Sequence, residues 1–154
     1  MSRVEARLQE LGHSLPEVTA PLAAYVPAVR SGNLVIVSGQ VPVAGGKAIA
    51  TGRVPTDVSV EQAQELARGC VLTALAAVKA EVGDLDRVVR VVRLGCFVAC
   101  APDFSSPHLV ANGASELLQD IFGAAGKHAR AALGAHMLPL NVPVEIEFTF
   151  EVRD

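Results

Sequence analysis

The sequence predicts an α+β domain: a mixed β-sheet with two long helices packed on one of its faces. Three observations carry that reading. Residues 59–82 carry apolar side chains at helical spacing, residues 106–123 repeat the pattern, and the chain closes on a strand of strict alternation. In that strand Val144, Ile146, Phe148, Phe150 and Val152 alternate with Glu145, Glu147, Thr149, Glu151 and Arg153. With 154 residues, 51% of them apolar and 19% charged, the chain suits one core spanning 1–154 and is too apolar to stay disordered.

The elements follow in order. Residues 1–21 read as a peripheral start, with a short amphipathic turn through Val4, Leu8 and Leu11 that stops at Gly12 and is blocked again at Pro16 and Pro21. From Tyr25 to Val43 a hairpin is expected, Val26–Val29 against Asn33–Ser38, turning at Arg30-Ser31-Gly32 and punctuated by Gly39. Residues 44–57, with Gly45-Gly46 and Gly52, read as a loop or a ragged edge hairpin. Ser59 and Gln62 make a capping box, in which each side chain accepts from the other's backbone N–H. The helix it starts runs to about Val82, with Gly83 as the stop. Val88–Cys100 is dense in β-branched residues and fits a central strand. Ser106-Pro107 opens the second helix, whose stripe is Val110, Ala114, Leu117, Leu118 and Ile121, and Gly123 ends it.

Composition narrows the function classes. A net charge of −3, no Trp and one Tyr argue against nucleic-acid binding, which needs clustered cations and stacking platforms. Apolar runs such as Leu34–Val37 fall far short of the roughly 18 residues that span a bilayer. The charged N-terminus lacks the apolar core of a signal peptide, so a cytoplasmic location is expected. Cys70, Cys96 and Cys100 form an odd set without a CxxC pair and read as free thiols. No P-loop, HExxH, GxSxG or GxGxxG is present, and four scattered histidines predict no metal site.

What remains is the segment Gly126–Leu133 followed by Val144-Glu145-Ile146-Glu147, where an arginine opens one strand and a carboxylate the next. If those strands are neighbours, the Arg130 fork can hold a substrate carboxylate while Glu145 handles a water or a proton. Asn112-Gly113 are poor helix formers inside a helix, which points either to binding or to a tight approach of the helix to the sheet.

Tyr25, Ser38-Gly39-Gln40-Val41-Pro42, Gly83-Asp84-Leu85 with its valine-rich strand, Ala129-Arg130, Leu138-Pro139 and Val144-Glu145-Ile146-Glu147 together resemble the YjgF/RidA family, also called the L-PSP endoribonuclease family. The resemblance covers about Pro21 to Val152 and leaves residues 1–20 as an N-terminal extension. It implies a chorismate-mutase-like fold, a homotrimer whose sheets pack into a central β-barrel, and a ligand pocket at each subunit interface. It further implies cofactor-independent hydrolysis of reactive enamine or imine intermediates, such as 2-aminoacrylate, to a 2-keto acid and ammonia. By position, Arg130 clamps the substrate carboxylate and Glu145 orients the water. Tyr25, Ser38, Gly39, Asn112 and Ala132 line the pocket; His128 stands where the archetype has a proline and, with a reference pKa near neutral, adds a proton donor to it. Ala132 stands where the archetype has a cysteine. Two other functions stay open: a keto-acid-binding module without turnover, and the endoribonuclease or translation-inhibitor activity in the family's name.

Overall fold

A computed structural model describes residues 1–18 and 23–154, and the stop expected at Pro21 lies outside them. At the N-terminus the expected turn is a helix, α1 (Arg3–Glu10), because the Ser2 hydroxyl accepts from the Glu5 amide while the Glu5 side chain accepts from the Ser2 amide. The helix belongs to the core, since Leu8 is fully buried. The Asp86 carboxylate holds its start, accepting from the Arg3 and Val4 amides at 3.0 and 3.1 Å and from Arg3 Nε at 3.2 Å. At the other end Arg7 Nε donates to the Asp120 carbonyl at 3.0 Å.

The hairpin forms from β1 (Ala28–Ser31) and β2 (Leu34–Gln40). Its turn is Gly32-Asn33 rather than Arg30-Ser31-Gly32, because Gly32 takes φ +60° and a two-residue turn led by such a glycine matches the twist of the strands. Arg30 and Ser31 therefore stay in the ladder, opposite Val35 and Leu34. A separate small hairpin, β3 (Val43–Ala44) and β4 (Lys47–Ala48), turns over Gly45-Gly46. Helix α2 (Val60–Val82) begins in the Ser59/Gln62 capping box and ends at Gly83, as expected. After it come β5 (Val88–Ala99), α3 (Pro107–Phe122), β6 (Ala129–Ala135) and β7 (Val144–Val152).

The sheet order is β1-β2-β7-β5-β6, with β5 and β6 parallel and every other pair antiparallel. The closing strand thus inserts into the middle, where its alternate residues Val144, Ile146, Phe148 and Phe150 are fully buried under α2 and α3. Edge strand β6 reads Ala-Arg-Ala-Ala-Leu-Gly-Ala, a composition poor in strand formers that suits an edge better than a centre.

This order does not meet the condition that the strands of Arg130 and Glu145 be neighbours. Strand β5 lies between β6 and β7, with Arg130 in register with Leu94 and Glu145 with Phe97. Strand spacing and rise put the two Cα atoms about 14 Å apart. Side chains alternate along a strand, so Arg130 shares the helix-covered face with buried Leu94. Glu145, between buried Val144 and Ile146, points to the other face. That open face also carries Val29, Ile36 and Leu133, each about half exposed at 51%, 49% and 54%. Among the described residues, no helix is long and apolar enough to cross a membrane.

Candidate functional site

Arg130 sits on the exposed edge strand and reaches toward α3. Its Nη1 donates to Asn112 Oδ1 at 2.8 Å and to Ser115 Oγ at 3.1 Å. Those two residues stand one helical turn apart and so share a face of α3. Gly113 between them explains the unfavourable Asn-Gly pair: a Cβ there would come 2.6 Å from the Gln64 backbone oxygen. The tight approach is therefore made to α2 rather than to the sheet, and Asn112 is present to bind the arginine.

Ser115, which sequence reasoning did not single out, joins Arg130 to His128. The Ser115 hydroxyl lies 2.9 Å from His128 Nε2, and His128 Nδ1 lies 2.7 Å from the Gly126 carbonyl oxygen. A carbonyl only accepts, so Nδ1 carries the proton and Nε2 accepts from Ser115. Burial holds the imidazole below its ordinary pKa, and the Arg130 charge adds to the same direction. His128, expected as a pocket proton donor, is thus neutral near pH 7 and engaged at both nitrogens.

Ala132 follows on the same face of β6 and pairs in register with Cys96 of β5. A thiol thus stands one strand away from the position where the archetypal cysteine is missing. Burial pushes that Cys96 thiol up to about 12, although the Arg130 charge opposes the rise, so it remains protonated and packs as a small apolar group. Cys70 is likewise buried, and all three cysteines are free.

A second cluster gathers around Glu145. Between Val37 and Gln40, β2 holds one residue more than the β7 stretch from Phe148 to Ile146 that it faces, and this bulge contains Ser38 and Gly39. The Glu145 carboxylate lies against Gly39 so closely that a Cβ there would collide with it. Burial raises the Glu145 pKa above the ordinary carboxylate value, and nearby Glu147 raises it further. Glu147 in turn lies over Gly95, whose Cβ would meet its Oε1 at 2.8 Å. Ser38 is tied to the segment after Tyr25: its hydroxyl donates to the Val26 carbonyl at 2.6 Å and its amide to the Pro27 carbonyl at 2.9 Å. Tyr25 itself is exposed.

The structure therefore gathers the expected residues into two groups: Arg130, Asn112, His128 and Ala132 on the helix face, and Glu145, Ser38 and Gly39 around the bulge. A cavity of about 490 Å³ between α1, residues 13–18 and α2 contains neither group. Among the described residues no three His, Cys, Asp or Glu side chains converge as a bound metal ion would require.

Comparison with known proteins follows the same lines. The family described as "YjgF/chorismate_mutase-like, putative endoribonuclease" matches residues 5–151, a span that begins inside α1 and so reaches further toward the N-terminus than Pro21. Protein TCP17 of Trypanosoma cruzi is 42% identical over 153 residues, 99% of this chain and 96% of its own. The crystal structure of Atu1372 from Agrobacterium tumefaciens, a protein of unknown function, is 47% identical with a TM-score of 0.90, covering 98% of this chain and 93% of that one. A Shewanella oneidensis protein named a "putative endoribonuclease" is 32% identical with a TM-score of 0.91, covering 97% and 99%. On this evidence of sequence and fold together, the chain belongs to the YjgF/chorismate-mutase-like family.

Proposed function

We propose that this protein hydrolyses reactive, carboxylate-bearing enamine and imine intermediates, of which 2-aminoacrylate is the simplest, to 2-keto acids and ammonia. The reaction takes place in pockets between the subunits of a homotrimer. The observation that carries the reading is the presentation of Arg130. Among the described residues its guanidinium is held through Nη1 alone, so Nε and Nη2 remain at the strand edge to grip a carboxylate as a fork.

The chemistry asks little more. Once the enamine tautomerises to the imine, water adds to the C=N carbon; a C–O bond forms, and the π electron pair moves to nitrogen, which takes a proton. The C–N bond of that adduct then breaks, ammonia leaves and the keto acid remains. A carboxylate that orients the water and accepts its proton suffices, because the imine is already electrophilic. Glu145, half-buried with a raised pKa, suits that part, with Ser38 and Gly39 beside it. Arg130 and Glu145 point from opposite faces of one sheet, so a shared substrate requires Glu145 of the partner subunit. The half-exposed Val29, Ile36 and Leu133 give the open face an apolar surface that such an assembly would cover.

The test generates 2-aminoacrylate with a serine dehydratase and follows the appearance of pyruvate. Wild type is expected to accelerate it, and Arg130→Ala to bind pyruvate roughly ten- to a hundredfold more weakly, the loss of hydrogen bonds to a charged group. Full activity in Arg130→Ala rejects the clamp. Tight pyruvate binding without acceleration supports a binding module instead. An endoribonuclease would need a cationic track for the phosphates. Here the exposed Arg90 stands opposite Glu151 in register, so cations and carboxylates are interleaved on the sheet.

A further inference from the structure

We propose that Ser115 and His128 are positioning residues, forming a polar relay that fixes the orientation of the Arg130 guanidinium. The proposal deepens the reading of Arg130 as a carboxylate clamp and rests on it.

An arginine on an exposed edge strand has no reason of its own to hold one rotamer, since a long cationic side chain loses conformational entropy when it is ordered. Asn112 supplies one acceptor. The second, Ser115 Oγ, is the decisive one, because a hydroxyl can rotate and its lone pairs face the guanidinium only if its proton is directed elsewhere. His128 directs it. The Gly126 carbonyl, 2.7 Å from Nδ1, fixes the tautomer with a bare Nε2, and that nitrogen sits 2.9 Å from Ser115 Oγ. Each link sets the polarity of the next: carbonyl to imidazole, imidazole to hydroxyl, hydroxyl to guanidinium.

The base of the relay is itself fixed by packing. Gly126 is buried under the end of α3, where a Cβ would collide with the Leu118 carbonyl oxygen. Ser115 is 6% exposed. The relay thus runs from a rigid, buried backbone carbonyl to a solvent-facing fork across three hydrogen bonds, and it passes through α3 and β6, the two elements that meet at the sheet edge.

The test uses the full-length protein, with pyruvate as the carboxylate probe and pyruvamide as its neutral counterpart. Histidine ¹⁵N spectra of wild type are expected to give His128 as the Nδ1–H tautomer. Ser115→Ala is expected to alter that signal, to increase the mobility of Arg130 Nε–Hε in ¹⁵N relaxation, and to weaken pyruvate binding about three- to tenfold, the cost of one such hydrogen bond. Pyruvamide binding should not change. His128→Leu should reproduce these effects, whereas His128→Gln, whose carbonyl oxygen can accept in place of Nε2, should restore wild-type behaviour. Unchanged Arg130 mobility in Ser115→Ala, or equal behaviour of His128→Leu and His128→Gln, overturns the relay. If wild type binds no pyruvate, the clamp reading fails by itself and the Arg130 relaxation alone decides the relay.

Discussion

Gly113 illustrates how one missing side chain places several functional ones. With the Gln64 backbone only 2.6 Å from where a Cβ would stand, Gly113→Ala must push α3 away from α2 and carry Asn112 and Ser115 with it. The expected loss is about 1–3 kcal/mol of stability, the usual cost of overpacking, measured by urea denaturation, together with weaker pyruvate binding. On the proposed reading, stability and function oppose each other at Glu145. Its folded-state pKa is raised by burial and by Glu147, so folding disfavours the charged form, and stability is lost as the pH rises through that pKa. Glu145→Gln should therefore raise the denaturation midpoint at pH 7 while slowing 2-aminoacrylate hydrolysis; unchanged hydrolysis would mean that Glu145 takes no part in the reaction. Glu147→Gln removes the second cause, so the acid limb of the pH–rate profile should move to lower pH.

Elements differ in how far their neighbours in the chain determine them. The caps at Ser59/Gln62, Gly83 and Gly123 are local chemistry, legible in the residues before any packing was known, and so is Pro107 at the first position of α3, although the expected cap at Ser106 makes no side-chain hydrogen bond. The alternation of β7 was equally plain. What no local pattern carries is pairing: β7 sits between β2 and β5, so the arginine and carboxylate that stand close in the chain are separated in the sheet. Ser115 stayed hidden for a related reason, since its part depends on α3 meeting β6, although its one-turn spacing from Asn112 marks a shared polar face. Helix α1 is expected only as a turn, although Ser2 and Glu5 form a local capping box; what no local pattern carries is its long-range anchor, Asp86. The Arg3 and Val4 amides and the Arg3 guanidinium hold that carboxyl below its ordinary value of 3.8. Its contribution is present above that pH and fades as the pH falls below it. Asp86→Ala should cost about 1 kcal/mol locally, a typical capping loss. Amide exchange at Leu8–Leu11 should then speed up about fivefold, while α2 stays protected.

At the scale of the molecule the open face of the sheet matters most, because it pairs exposed Val29, Ile36 and Leu133 with the carboxylates of β7. Subunit mixing tests the arrangement directly. Arg130→Ala and Glu145→Gln proteins, each impaired alone, should rise to about a quarter of wild-type activity when dissociated and reassembled in equal amounts, because random closed rings restore that share of intact interfaces. No recovery would mean that both residues act within one chain.

The placement of Arg130 and Glu145 on opposite faces of the same sheet also has a kinetic meaning. On the proposed reading each copy would hold half of two different reaction centres and the whole of none, and turnover per molecule would become a function of protein concentration. Serial dilution at fixed substrate should bring a drop in specific activity at the concentration where light scattering or sedimentation records dissociation. The fold would then report its own abundance: scarce chains stay folded, with α2 and α3 still covering their core, and stay silent until they meet.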